Sequence, residues 1–482
     1  MGKITGKTVS TNLLWRFLER FGAQGVTFVV SLVLARILEP KDYGTVAIIT
    51  VILTILQVFV DSGFGNALIQ KKDSDDTDFS TVFFFNVFLS GILYFALFLF
   101  APVISGFYSN SDLTLLIRVA GTMLFISALK NVQQAYVSKH LMFKKFFFST
   151  LFGTLGAAAL GIVLAFNGFG VWALVIQLLF NNLVDMMVLW ITVRWRPKFV
   201  FNFDRLKTLF NFGWKLLVSS LITTVYNEIK QLIIGKMYTG EDLAFYNRGH
   251  QLPYYATTSI NSSIDSVMLP VMANYQDDKN KLRAITQRAI KTSCFIIWPM
   301  MAGLSACSFS LIKLVLTEKW LPCVPFLIIF CFVYSMYPIT TANLNAIKAM
   351  GKSNVFLKLE IIKKFVGIIV LFITMWFGPI WIALGGLFVS IFAQAINSLP
   401  NKMYLDYSLA SQIKDILPSV LLSLFMGICV FFVTFLGLSD VATLAIQIPL
   451  GTIIYIGLAR LFRLDSLDYA AAQIKRFFGK SA

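Results

Sequence analysis

The chain has 482 residues, of which 57% are hydrophobic and 13% charged, and its mean hydropathy is +0.76. A soluble globular protein carries about a quarter charged residues, so that class is excluded. The net charge of +17 would suggest nucleic acid in a soluble domain, but its placement along the chain decides otherwise.

Apolar runs long enough to cross a hydrocarbon core as helices recur from end to end. They predict spans at 13–36, 43–62, 80–101, 113–137, 147–166, 170–193, 209–236, 242–273, 287–312, 322–345, 356–377, 379–400, 415–436 and 441–460. The N-terminus, Met1 to Asn12, is polar and basic, and the first apolar stretch carries Arg16, Glu19 and Arg20 with no small-residue cleavage site, so no cleaved leader is expected. With the N-terminus cytoplasmic, 29 of the 41 Lys and Arg residues fall in the cytoplasmic segments and the helix ends adjoining them, five on the other side and seven deeper inside helices. The positive-inside rule then places both termini in the cytoplasm. Topology accounts for the excess charge without nucleic acid.

The ionisable residues inside spans carry the most information, because each costs about 2.5–3.5 kcal/mol at a helix centre. Helix 1 has Arg16 and Arg20 on one face, with Glu19 three residues from Arg16. Helix 2 contributes Gln57 and Asp61, helix 4 Arg118 and Lys130, and helix 6 Asn181, Asn182 and Asp185. Helix 7 carries Lys215, Asn227, Glu228, Lys230 and Gln231. Helix 8 carries Arg248, His250, Gln251, Asn261 and Asp265 and is expected to break at Pro253 and Pro270. Arg118, Lys130 and Asp185 read as interhelical pairs.

The basic groups of helices 1, 7 and 8 lie at different depths, as the lining of a water-filled cavity would. Such a cavity suits an anion, and guanidinium forks suit pyrophosphate because they donate paired hydrogen bonds. The expected substrate-binding residues are Arg16, Arg20, Lys215, Lys230, Arg248 and Gln251. A carboxylate in low dielectric seeks a proton or a cation, so Asp61, Glu228 and Asp265 are the expected coupling sites for H⁺ or Na⁺.

An internal repeat at an offset of 200 residues pairs Leu32–Leu38 with Leu232–Tyr238 and Asp42 with Asp242. A second echo pairs Trp172 with Trp381. An offset of six helices keeps both copies in the same orientation, which implies parallel lobes. The expected organisation is an all-α polytopic membrane protein with an N-lobe over 1–205, a C-lobe over 206–402, two extra helices over 403–462 and an amphipathic tail over 463–482. The tail mixes Leu467, Tyr469, Ile474, Phe477 and Phe478 with Lys475, Arg476 and Lys480, the pattern of a helix lying on anionic membrane lipids.

Other motifs fail on spacing. Gly2–Thr8 is one residue short of a phosphate-binding loop, and Gly351-Lys352-Ser353 lacks the leading glycine. Asp73, Asp75, Asp76 and Asp78 sit in a short loop beside Lys71 and Lys72 and read as solvated. His140 and His250 are the only histidines, and the five cysteines have no CxxC spacing, so no metal, cofactor or catalytic triad is expected.

Fourteen spans, the segment Arg36-Ile37-Leu38-Glu39-Pro40-Lys41-Asp42-Tyr43-Gly44 after helix 1, and Asp61-Ser62-Gly63-Phe64-Gly65 closing helix 2 resemble a known group. It is the polysaccharide transporter branch of the multidrug/oligosaccharidyl-lipid/polysaccharide exporter superfamily, and within it the Wzx-type, WzxC-like flippases. The resemblance covers essentially the whole chain. It implies an inner-membrane flippase that moves undecaprenyl-pyrophosphate-linked oligosaccharide outward by alternating access, with a polysaccharide polymerase and chain-length regulator as partners and no enzymatic activity of its own. In similar flippases cationic residues of helices 1, 2, 7 and 8 line a central cavity; here helix 2 has no basic residue in its interior. A drug/cation antiporter of the same superfamily would favour an acidic or aromatic cavity. A membrane glycosyltransferase or polymerase would show a large loop or a carboxylate cluster.

Overall fold

A computed structural model describes residues 22–469 except 23 and 62. The described residues contain no strand. The helices of the first half are α1 (Gln24–Ile37), α2 (Pro40–Asp61), α3 (Phe64–Gln70), α4 (Asp76–Phe107), α5 (Leu113–Ala120), α6 (Met123–Lys139), α7 (Phe143–Phe166), α8 (Val171–Thr192) and α9 (Phe203–Met237). The remainder are α10 (Gly240–Ala273), α11 (Lys279–Ala306), α12 (Ser308–Leu316), α13 (Val324–Ser335), α14 (Tyr337–Ala349), α15 (Ser353–Thr374), α16 (Pro379–Leu405), α17 (Leu409–Phe432) and α18 (Asp440–Leu461).

Among the described residues ten spans are long and apolar enough to cross a membrane by length and composition, some of them built from two consecutive helices. Helices α9, α10 and α15 have 35, 34 and 22 residues, hence about 52, 51 and 33 Å at the α-helical rise. They have the length to cross, and their polar and charged residues keep them out of the apolar set. The chain is an all-α polytopic membrane protein.

Two compact units, Met1–Ala244 and Phe245–Ala482, divide the chain. Within the first, α9 packs along α2, and Phe64, Leu68, Phe79, Val132, Phe146, Trp195 and Leu206 form a buried core. In the second, α17 and α18 pack on α11 through Phe295, Met426, Val430 and Tyr455, and the Tyr455 hydroxyl donates to the Phe295 carbonyl at 2.9 Å.

The two copies of the sequence echo hold the same local structure. Asp42 accepts a hydrogen bond from the Glu39 backbone N–H at 3.2 Å, and Asp242 accepts one from the Thr239 N–H at 3.1 Å. Each carboxylate thereby satisfies an otherwise unpaired donor at a helix start, of α2 and of α10. Trp172 and Trp381 each lie in the first turn of a helix, α8 and α16.

Two expectations need correction. Helix α10 is not broken: it runs from Gly240 to Ala273 with Pro253 and Pro270 inside it. The aspartate loop is not simply solvated either. Asp75 caps α4, accepting from the Asp78 N–H at 3.0 Å, while the Asp78 side chain is buried and meets Lys71 at 2.7 Å and Arg205 at 3.4 Å. Lys198 pairs with Asp76 at 2.7 Å. Residues some 120 positions downstream thus tie the start of α4 to that of α9, and the Arg205 hydrogen bond holds the Asp75 carboxyl below the usual carboxylate range. Among the described residues no cluster of His, Cys, Asp or Glu could hold a metal ion. The tail beyond Tyr469 lies outside the described residues, and the Tyr469 ring lies 3.8 Å from the Arg288 guanidinium.

Candidate functional site

Helix α2 ends at Asp61, and Gly63 turns the chain into α3 with φ of +67°. This left-handed conformation favours glycine. A Cβ there would also meet the Gly213 carbonyl oxygen at 2.5 Å, so the glycine lets α9 approach the break closely. The opening beside it is a cavity of about 320 Å³, lined by Asp61, Asn66, Asn86, Asn131, Gln134 and Ser220 among others. The Asp61 carboxylate accepts a hydrogen bond from the Asn131 amide. Asn86 is buried, and its amide oxygen has no hydrogen-bond partner among the described residues. A buried acceptor with nothing to accept is costly. A carboxylate and an unsatisfied carbonyl in one polar cavity form a set of donors of electron density that suits a proton or a small cation.

Close by, Lys130 of α6 lies 3.2 Å from Asp185 of α8, and its ammonium donates to the Asn182 amide oxygen at 2.9 Å. This is the interhelical pair the sequence suggested. Arg118 differs: it has no carboxylate partner among the described residues, and its guanidinium lies 4.1 Å from the centre of the Phe98 ring while donating to the Phe98 carbonyl at 3.3 Å.

On α9, Lys215 is exposed and Lys230 partly buried. Among the described residues neither has a carboxylate partner. Glu228 accepts from the Gln231 amide at 2.5 Å, so it is tied locally and is not joined to Lys230. Leu216, Leu217 and Ser220, beside Lys215, line the Asp61 cavity.

In the second unit, α10 presents Arg248 and Gln251 together. The Arg248 guanidinium donates to the Gln251 amide oxygen at 2.9 Å and lies 5.2 Å from the centre of the Trp320 ring, a cation–π contact. A Cβ at Gly249 would meet the Phe326 Cβ at 2.5 Å, so glycine brings α13 close enough to bury Arg248. Asp265 accepts from the Asn345 amide at 2.6 Å, and Asn261 donates to Thr341 at 2.6 Å. Arg16 and Arg20 lie outside the described residues.

The sequence had not singled out Asn66, Asn86, Asn131 or Gln134. The signal that could have found Asn86 is an amide inside the apolar run Val82–Phe88, which needs either a partner or water in a membrane.

Comparisons with known proteins agree with this architecture. The chain is 27% identical over 300 residues to the teichuronic acid biosynthesis protein TuaB of Bacillus subtilis (strain 168), covering 62% of each. It is 24% identical over 392 residues to the lipopolysaccharide biosynthesis protein WzxC of Escherichia coli (strain K12), covering 80% of this chain and 79% of that one. The structure superposes on the lipid II flippase MurJ in an inward closed conformation with a TM-score of 0.76 and 17% identity, covering 94% of this chain and 99% of that one. The match to TuaB spans less than two thirds of that protein, and the likeness to MurJ is one of fold. Residues 33–325 match the family model described as polysaccharide biosynthesis protein, and the chain belongs to that family.

Proposed function

We propose that this protein is a flippase that moves an undecaprenyl-pyrophosphate-linked oligosaccharide from the cytoplasmic to the periplasmic leaflet of the bacterial inner membrane by alternating access, for exopolysaccharide or lipopolysaccharide biosynthesis. The observation that carries this reading is the pair of cations within α9, Lys215 and Lys230, which have no carboxylate partner among the described residues, in a chain of a polysaccharide biosynthesis family. An intramembrane cation without an internal counter-charge is poised for an anionic ligand, and pyrophosphate is the anionic part of this substrate. Arg16, Arg20, Arg248 and Gln251 would complete the anion path. The unpartnered cations also weigh against a drug/cation antiporter.

We count α1, α9, α10 and α15 with the ten apolar spans, giving fourteen, two parallel six-helix lobes and both termini in the cytoplasm. No catalytic step is assigned, and a polysaccharide polymerase and chain-length regulator would receive the product. Asp61, with Asn131 and the unsatisfied Asn86 oxygen around one cavity, is the favoured coupling site for H⁺ or Na⁺; Glu228 and Asp265, each held by a neighbouring amide, are secondary ones.

The test is transfer of an undecaprenyl-pyrophosphate-linked oligosaccharide across proteoliposomes under an imposed proton or sodium gradient. Wild type should transfer it, Lys230→Ala should slow transfer by about tenfold or more, as expected for a lost charge-assisted contact, and Asp61→Asn should abolish the gradient dependence. Transfer no faster than in protein-free vesicles would refute the reading.

A further inference from the structure

The second unit holds an array of aromatic side chains that the anion path does not use. His250 stacks on Tyr254, with ring centres 5.5 Å apart, and its Nε2 is hydrogen-bonded to the Tyr334 hydroxyl at 2.5 Å. Tyr254 packs on Tyr255 at 5.7 Å and on Tyr334 at 5.8 Å, and Tyr334 packs on Tyr337 at 5.4 Å. Beneath them Tyr246, Phe330 and Tyr334 are buried. That lower layer is core.

The upper layer is different. Tyr254, Tyr255 and Tyr337 are 39%, 37% and 39% exposed. Tyr254 and Tyr255 lie about 21 Å along α10 from its start, near its middle, and Tyr337 opens α14 within the Glu318–Ala349 span. Mid-span positions that face lipid take aliphatic residues, whereas tyrosine belongs at the membrane interfaces, where its hydroxyl reaches water. A phenol aimed at hydrocarbon would lose its hydrogen bonds. One and two turns along the same face as Gln251 come Tyr255 and Thr258, and the Gln251 amide donates to the Tyr255 hydroxyl at 3.3 Å. This face therefore borders water, and a sugar is the ligand whose chemistry matches it. A pyranose ring has one face of C–H groups that stacks on an aromatic plane and a rim of hydroxyls that pairs with amides and phenols.

We propose that Tyr254, Tyr255 and Tyr337 form a stacking surface for the sugar rings of the transported oligosaccharide, with the His250–Tyr334 hydrogen bond fixing the rings beneath. The proposal rests on the flippase reading and adds to it where the saccharide lies, some two turns along α10 from Arg248.

The test compares binding of two probes to the purified full-length protein in nanodiscs: undecaprenyl pyrophosphate, and the same lipid carrying a galactosyl-glucose disaccharide. Galactose presents the broadest C–H face of the common hexoses. Wild type should bind the glycosylated lipid about tenfold more tightly than the bare one, the gain of one to two good aromatic contacts. Tyr254→Leu with Tyr337→Leu should bind bare undecaprenyl pyrophosphate as wild type does and lose the sugar-dependent gain, while Tyr254→Phe with Tyr337→Phe should keep most of it. Equal binding of both probes by wild type, or a full gain retained by the leucine variant, overturns the stacking surface and leaves the flippase reading standing. Binding of neither lipid overturns both.

Discussion

The Lys130–Asp185 pair tests the packing of the first unit most directly. The two side chains are 13% and 14% exposed and 3.2 Å apart. At the effective dielectric of about 20 that suits such sites, their attraction is about 5 kcal/mol before desolvation is charged against it. The second carboxylate oxygen of Asp185 is buried without a partner, so Lys130 supplies the only compensation seen for that group among the described residues. Lys130→Met should therefore cost about 3 kcal/mol, because it leaves a buried charge behind. Asp185→Leu should cost a similar amount, and the double variant should return to within about 1 kcal/mol of wild type, since an apolar pair of similar volume replaces a desolvated ionic one. The cycle would be measured by SDS-induced unfolding in mixed micelles and should show a coupling of about 5 kcal/mol. Single variants that each lose less than about 1 kcal/mol, with no coupling, would show that water screens the pair as at a surface and that the α6–α8 seam is open.

Three further outcomes follow from the same geometry. Gly63→Ala should destabilise the protein by about 2–4 kcal/mol in the same titration, combining a left-handed backbone with the clash against Gly213; an unchanged midpoint would mean that α3 moves away freely. The Asp75 carboxyl is depressed in the folded state, so its contribution is present above the unfolded value of about 3.9 and is lost as pH falls through the lower folded value. Asp75→Asn should accordingly flatten the loss of stability below about pH 4, and an acid profile identical to wild type would contradict the role of Arg205. Single cysteines at Ser109 and Ser439 in a cysteine-free background should react with an impermeant thiol reagent from the periplasm and one at Ser411 should not, and labelling at Ser411 would reverse the orientation.

The ten apolar spans were legible because a run of about 20 apolar residues is a local property. Elsewhere the sequence was less explicit. Asp75 and Asp78 looked solvated because their partner Arg205 is 130 residues from Asp75 in sequence. The prolines of α10 argued for breaks, yet in a membrane helix neighbouring groups satisfy the carbonyls a proline frees. Conversely, the expected span 43–62 stops where α2 does, and no local pattern records that the helix resumes beyond Gly63 as α3 with α9 passing against the turn. The paired Asp42 and Asp242 were visible, since a capping residue keeps a fixed distance from the helix it starts. The aromatic layer was not, because Tyr254 and Tyr337 come from different helices and each alone is an unremarkable tyrosine.

The polarity of α9, α10 and α15 bears on how the chain enters the bilayer during synthesis. Lys215, Glu228 and Lys230 on α9 would each cost about 2.5–3.5 kcal/mol near a bilayer centre if the helix partitioned alone, and Lys358, Glu360, Lys363 and Lys364 leave the N-terminal part of α15 strongly charged. Apolar α8 precedes α9 and α11 follows α10, while α15 lies between the apolar α13–α14 span and α16. The polar helices must therefore enter alongside retained neighbours, with flanking spans holding them until their partners arrive. A chain halted after Ala273 should leave α9 and α10 accessible to protease, whereas one extended through Ala306 should protect them. Protection of the shorter chain would show that these helices insert unaided. The charges on these helices thus set the order in which the membrane-spanning helices can be assembled.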